Sequence, residues 1–297
     1  MSRLCDLTCG SPCYLRWPVV RIVVLSVVGV FMFSLLTRVR SNERTPRPVP
    51  LSAPLGAETL VGAVNSVEAM KALYNYLEHP QHCCRDLRPF GGTPGHSDGS
   101  KMVCMDAEVA PPPGSCLAYS FGVANDWSFD RAMYENGCEV HSFDPSVNHT
   151  EGRTPFGPVF HRQGLSGDEN TTREDGWIVM TLGDTMDSLG HGDRTLHYLK
   201  VDVEGAEWTW LDAEHEEVLN RVRQLAMEVH FLELQLFETE EDLFEVLDAY
   251  ITSFELLRSL GFCLVSVSEN PINPGRRVMP RWGEEKATLF EVLWVKR

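Results

Sequence analysis

The sequence predicts an α/β domain: a mostly parallel sheet with a closing antiparallel hairpin, preceded by one transmembrane helix. Three observations carry this. From Ser115 onward, short apolar segments alternate with segments of helical periodicity, the pattern of a parallel sheet covered on both faces. The last two apolar segments, Phe262 to Val267 and Thr288 to Val295, have no helical segment between them and read as an antiparallel pair. Near the amino terminus, Ile22 to Leu36 is a run of fifteen residues without a charge.

Composition narrows the class. The chain has 297 residues and is 43% hydrophobic and 9% aromatic, which is enough to bury a core and excludes a disordered acidic tail. The first 57 residues carry seven arginines and two acids, and the remaining 240 carry 19 basic and 40 acidic side chains. So acidic a body is repelled by phosphates, and a sequence-independent nucleic-acid binder is disfavoured. Collagen, coiled coil and multi-span membrane protein fit neither the composition nor the single long apolar run.

Residues 1–16 read as a short tail. Trp17 to Thr37 is 21 residues with one charge, Arg21, whose long side chain can reach the interface. At about 1.5 Å per residue, 21 helical residues just span a hydrocarbon core. Leu35-Leu36-Thr37-Arg38 is a poor cleavage site, so an uncleaved signal anchor over residues 17–37 is preferred to secretion after signal cleavage. Arginines flank the run on both sides and do not set its orientation. Two sequons, at Asn148 and Asn170, and six later cysteines (Cys83, Cys84, Cys104, Cys116, Cys138, Cys263) favour a lumenal domain in the Golgi or ER. Cys5, Cys9 and Cys13 precede the run and suit palmitoylation if cytosolic.

Residues 38–64, with four prolines between Thr45 and Pro54, read as an extended stem. A lead-in follows over 65–114. Val67, Met70, Leu73, Tyr74 and Leu77 recur at helical spacing, with Ser66 as the expected cap. His79 to Ser100 reads as a loop rich in Gly, Pro, His and Cys. Its Cys and His spacing fits no structural zinc pattern, and a disulfide from Cys83 or Cys84 to Cys104 is expected instead.

The main domain is expected over 115–297. Cys116 to Phe121 is the first strand, and Trp127 to Asn136 is a helix that Gly137 can end. Glu139 to Phe143 and Val159 to Gln163 are the next strands. Leu196 to Val201 is another, followed by a helix through Trp208, Leu211 and Val218. Val222 to His230 is a strand. Thr239 with Asp242 three residues on opens a long helix that ends at Gly261.

Chemistry-bearing residues gather at the predicted strand ends. Phe121-Gly122-Val-Ala124 is a small-residue turn from strand into helix, where backbone can approach a ligand closely. Twenty-two residues after Gly122, the next strand ends in Asp144-Pro145-Ser146. A carboxylate at that place suits the ribose hydroxyls of a nucleoside. The turn lacks a third glycine and carries Asp126, which suits a cationic ligand such as S-adenosylmethionine better than a pyrophosphate. Gly164-Leu165-Ser166 after the third strand can border the base.

Asp202 and Glu204 follow the fourth strand two residues apart. Glu228 and His230 are likewise two apart at the end of the fifth. Same-face carboxylates there can hold an ammonium group or act as general base with His230. A divalent metal is an open option with no further support, and no metal ligand is assigned. Glu207 reads equally well as a complement to a helix dipole.

The segments Asp202-Val-Glu204-Gly-Ala-Glu207, Phe143-Asp144-Pro-Ser and Ala226-Met-Glu228-Val-His230 resemble the FkbM-type methyltransferases, closest to the methyltransferase-like protein 24 group. The resemblance runs from about Cys104 to Trp294. It implies a Rossmann-like class I methyltransferase fold and S-adenosylmethionine as cofactor. Ala124 departs from the family's glycine-type turn. Bacterial relatives methylate sugar or macrolide hydroxyls, which makes O-methylation of a small-molecule or glycan acceptor the expected reaction. Two other readings stay open: a non-catalytic lumenal scaffold on the same fold, and a Golgi glycosyltransferase with Asp202-Val-Glu204 as an acidic metal motif.

Overall fold

The computed structural model describes residues 62–93, 96–167, 171–173, 176–237 and 239–297. The chain divides into two units, Met1–Leu51 and Ser52–Arg297, and the description that follows concerns the second. Helix α1 (Ser66–Glu78) leads into a hairpin, β1 (Leu87–Thr93) and β2 (His96–Cys104). The order is then β3 (Leu117–Phe121), α2 (Ser128–Glu135), β4 (Glu139–Phe143), β5 (Gly152–Arg153), β6 (Val159–His161) and β7 (Gly164–Leu165). Next come β8 (Thr171–Thr172), β9 (Ile178–Met180), α3 (Leu182–Ser188), β10 (Tyr198–Val201), α4 (Glu216–Leu219) and β11 (Gln224–His230). Helix α5 (Glu240–Ser259), β12 (Phe262–Glu269), β13 (Arg277–Val278), β14 (Glu285–Lys286) and β15 (Leu289–Lys296) complete it.

The main sheet has eight strands in the order β12-β15-β11-β10-β3-β4-β6-β5. Strand order reverses between β3 and β10, because β3 continues to β4 on one side while β10 continues to β11 on the other. Ligands bind beyond the carboxyl ends of strands at such a point. One face, with Ala118, Val140, Tyr198, Ala226 and Leu293, packs in a core with Val103 of β2 and Phe129 and Met133 of α2. On the other face the α5 rings of Tyr250 and Phe254 lie against Trp208, with centroids 4.2 Å and 5.6 Å away, and Phe254 meets Trp294 of β15 at 5.4 Å. Thr239 caps α5, its hydroxyl accepting from the Asp242 amide at 3.1 Å.

Several expectations are corrected. Among the described residues, no helix is long and apolar enough to cross a membrane; the expected span, 17–37, lies outside them. The main sheet is mixed: four of its seven pairings are parallel, the expected closing strands β12 and β15 pair antiparallel, and β15 also pairs antiparallel with β11, as β5 does with β6. The expected 79–100 loop contains most of the β1–β2 hairpin. Gly91 and Gly92 have φ of +76° and +78°, and a Cβ on Gly91 would lie 2.5 Å from the Phe129 amide nitrogen. Those glycines, which read as loop signals, let the hairpin lie directly on α2. Asn65 rather than Ser66 caps α1, accepting from the Glu68 amide at 3.0 Å, while Ser66 donates to Glu240 of α5. The helix expected after β10 is broken into 3-10 turns at Ala206–Thr209 and Ala213–His215 before α4, since Asp212 restarts the chain by capping Glu214.

Disulfides join Cys84 to Cys104, Cys116 to Cys138 and Cys83 to Cys263, with Cα separations of 6.0, 4.6 and 6.3 Å. The first was one of the two expected pairings. The Gln224 side chain extends the tie to β2, accepting from the Cys104 amide and donating to its carbonyl, both at 2.8 Å. The Cys116–Cys138 bridge closes a loop with a sequence separation of 22. Chain-entropy arguments assign such a loop about 3 kcal/mol. The double variant Cys116→Ser, Cys138→Ser should lose about that much in urea denaturation, and an unchanged midpoint would show that the bridge does not constrain the unfolded chain.

Candidate active site

Strand β3 is buried throughout and turns at Gly122, whose φ is +77°. A Cβ there would lie 1.6 Å from the carbonyl oxygen of Asp202, so only glycine allows the ends of β3 and β10 to meet. Phe121 stacks on Phe143 with centroids 4.4 Å apart. The Lys200 ammonium donates to the Gly122 carbonyl and, at 3.5 Å, to that of Phe121. Ala124 follows at φ 48°, a left-handed conformation that costs a non-glycine residue about 1–2 kcal/mol. Asp144 stabilises this turn. Its Oδ2 accepts from the amides of Val123 at 3.0 Å and Ala124 at 2.8 Å. Its Oδ1 accepts from the amide and hydroxyl of Ser146 at 2.8 and 2.6 Å. These four bonds fill the usual acceptor capacity of a carboxylate.

Beside this turn, the ends of β10 and β11 carry a buried charge cluster. Asp202 lies 3.5 Å from the Lys101 ammonium and 3.6 Å from that of Lys200. Burial alone would raise its pKa, but the two lysines more than offset this and hold it at about 2. Lys101, on β2, also donates to Glu291 of β15 at 2.5 Å. Burial works against its charge, yet Asp202, Glu291 and Glu228 keep its pKa above the ordinary lysine value. Glu228 accepts from the Asn270 side-chain amide at 2.6 Å. Burial and then the Asp202 charge push its pKa up to about 8.

His230 is 1% exposed, and its Nδ1 lies 3.0 Å from Glu207. Burial opposes its charged form, but Glu207, with Glu228 and Glu204, holds its pKa up at about 10. His230 is therefore an imidazolium at neutral pH. Ligand atoms of Asp202, Glu228 and His230 lie within 4.8 Å of one another. Glu207 is fully buried and accepts from the amides of Val203 and Gly205, both at 3.0 Å. It clamps the turn after β10, where Glu204 and Gly205 have φ of 56° and 101°.

A family profile described as "Methyltransferase domain" matches residues 46–270, more than half of the chain. The chain belongs to the methyltransferase-domain family. The methyltransferase domain is also similar to probable methyltransferase-like protein 24 of Homo sapiens, 32% identical over 121 residues, which cover 39% of this chain and 32% of that relative. The same protein of Rattus norvegicus is 31% identical over 139 residues, covering 43% of this chain and 38% of the relative. The match thus spans about a third of the length of these curated relatives. No solved structure matches.

Within the methyltransferase domain, Gly122, Ala124, Asp144, Pro145 and Ser146 lie together just beyond the carboxyl ends of β3 and β4, with Phe121 buried beneath. Leu165 is 6% exposed on β7, beside the Gly164 backbone, where a Cβ would meet Pro145 at 3.3 Å. Gly167 approaches the Thr209 carbonyl so closely that a Cβ would lie 1.7 Å from it, so 164–167 runs from the Pro145 turn to the turn after β10. Asp202, Glu228 and His230 come together. Glu204 points outward, its side chain 85% exposed and 3.7 Å from His230. Asn148 is exposed and accepts from Arg162; Asn170 lies outside the described residues. Sequence reasoning missed Lys101, Lys200, Glu291 and Asn270. The signal for Lys200 was a lysine inside an apolar strand; Lys101 and Glu291 gave none, because nothing local links them to Asp202.

The buried imidazolium has a pH signature. A pKa raised on folding contributes stability that is complete below the unfolded value of 6.5 and is lost as pH rises through about 10. Glu228, raised from 4.5 to about 8, adds a loss of the same sign. These two groups should therefore lower the unfolding free energy from about pH 4.5 to 8 (Glu228) and from about pH 6.5 to 10 (His230), each by up to roughly 1.4 kcal/mol per pH unit. His230→Gln should flatten that slope in denaturant titrations at several pH values; an unchanged slope would place the charge elsewhere.

Proposed function

We propose that this domain transfers a methyl group from S-adenosylmethionine to a hydroxyl of a small-molecule or glycan acceptor. The observation that carries the reading is the meeting of the Gly122 turn with the end of β10, where an ionised Asp202 stands beside a carboxyl group of near-neutral pKa. The residues present fit that cofactor. Asp202, already paired with Lys101 and Lys200, can share its carboxylate with the cofactor's ammonium group, and the Gly122 turn leaves backbone rather than side chain beside it. Asp144 stands at the tip of β4, and rotation of the Ser146 hydroxyl frees one acceptor position on it for a ribose hydroxyl. When bound, S-adenosylmethionine supplies an electrophilic methyl on a cationic sulfur. The likeness to the FkbM-type methyltransferases supports the same cofactor.

Glu228 is the group suited to take the acceptor proton. Its pKa of about 8 lies near working pH, where a base has both a useful ionised fraction and driving force. His230, already protonated, fixes Glu207 and through it the turn after β10. Lys101 and Lys200 keep Asp202 ionised. The three disulfide pairs and the exposed Asn148 sequon support residence in the secretory pathway with the domain facing the lumen.

Calorimetric titration of the purified protein with S-adenosylmethionine and S-adenosylhomocysteine tests the reading. Micromolar binding is expected, abolished by Asp144→Ala. Glu228→Gln should retain binding while turnover with a hydroxyl acceptor falls by about 100-fold or more. Folded protein that binds neither compound would instead leave Asp144 as a lock for the turn and the domain as a non-catalytic scaffold. Protein made in a secretory host should shift in mobility on enzymatic deglycosylation; no shift would count against the lumenal placement.

A further inference from the structure

We infer that Glu139, His141 and His191 form a binding site for one zinc ion, separate from the candidate active site. Glu139 opens β4, whereas Asp144 follows its end. Five strand residues place their backbones about 16 Å apart. Glu139 and His141 are two apart on one strand and share a face. His191 reaches the same place from the turn after α3, where its amide donates to the Met186 carbonyl at 2.7 Å.

Two of the three ligand-to-ligand spacings match the ion. The His141 Nε2 lies 3.3 Å from Glu139 Oε1, and the His191 Nε2 lies 3.4 Å from the same oxygen. Zinc bonds of about 2.0–2.2 Å in a tetrahedron set ligand-to-ligand edges of roughly 3.3–3.6 Å. All three ligand atoms lie within 4.8 Å of one another. Two imidazoles and one carboxylate suit zinc and are a poor set for magnesium or calcium, which take oxygen ligands. Three protein ligands leave a fourth position for water.

The surroundings match as well. Zinc-bound imidazoles direct their other nitrogen to a fixed partner. His141 Nδ1 lies 2.9 Å from His161 Nε2, and His191 Nδ1 lies 2.7 Å from the Tyr119 hydroxyl. With Nε2 on the ion, each ring keeps its proton on Nδ1 and donates it to that partner. Arg194 donates to Glu139 Oε2 at 2.7 Å, which orients the carboxylate and leaves Oε1 for the ion. The two histidine side chains are 8% exposed, while Glu139 is 44% exposed and provides the path of entry.

The test is titration of the untagged full-length protein, stripped with chelator, with zinc chloride and in parallel with cobalt chloride. One equivalent of zinc should bind with a dissociation constant below about 1 μM and raise the unfolding temperature. Cobalt should give the visible absorption of a four-coordinate ion. Glu139→Gln and His191→Gln should each weaken zinc binding by about 100-fold or more, and Tyr119→Phe by about 10-fold. Both ligand variants remove groups at the edge of the cluster, and their thermal unfolding without zinc reports whether they fold. His82→Gln, at an exposed histidine, should change nothing. Folded protein with no stoichiometric zinc binding would overturn the inference. So would binding that survives Glu139→Gln and His191→Gln, or binding that is lost in His82→Gln.

Discussion

The arrangement of this domain depends on charges withdrawn from water at the end of β10. Three cations and three anions pair there: Lys200 with Asp202, Lys101 with Glu291, and His230 with Glu207. Glu228 stands beside these pairs, and Glu204 approaches His230 from the solvent side at 3.7 Å. Burial and then the charge of Asp202 raise the Glu228 pKa, against the partial relief that Lys101 and His230 give. Breaking one buried pair leaves a stranded charge, at a cost of about 3–5 kcal/mol. The elements that supply the partners are therefore tied to one another. They include β2 from the lead-in and β15 from the carboxyl-terminal part, as well as the central strands.

This arrangement also explains the division of labour in the Asp202 to Glu207 segment. Asp202 faces Lys101 and Lys200, Glu204 faces solvent, and Glu207 turns inward to hold the backbone of its own turn. Three acids within six residues thus have three different environments. Backbone conformation separates them: the left-handed residues Glu204 and Gly205 reverse the chain, so the strand alternation that pairs Asp202 with Glu204 stops at Val203. The expected helix gives way to 3-10 turns for the same reason.

Much of this was legible in local pattern. Glu139 to Phe143 is a short segment bounded by Gly137 and Pro145 as a strand would be, Thr239 and Asp242 carry their own capping chemistry, and the tip positions Gly122, Asp144 and Asp202 follow from strand ends. What was hidden was long-range. Pro89, Gly91 and Gly92 look like loop residues, and only contact with α2 explains a strand there. Lys101 has no meaning until β2 is placed beside β10, where the Tyr198 hydroxyl donates to the Met102 carbonyl at 2.7 Å. The spacing brought His230 together with Glu228; its buried partner Glu207, 3.0 Å away, comes from another turn. The anchor inferred from the run at 22–36 was read from hydropathy alone, and among the described residues no helix is long and apolar enough to cross a membrane.

The position of β15 has a consequence for synthesis. It is the latest of these strands to leave the ribosome, yet it lies inside the sheet, between β12 and β11. Until residues 289–296 emerge, β11 and β12 present open edges, and Lys101 lacks the carboxylate of Glu291. A nascent chain that collapses early would have to bury an ammonium group without its partner, which penalises premature compaction. Closure of the sheet and neutralisation of the cleft are thus one late event.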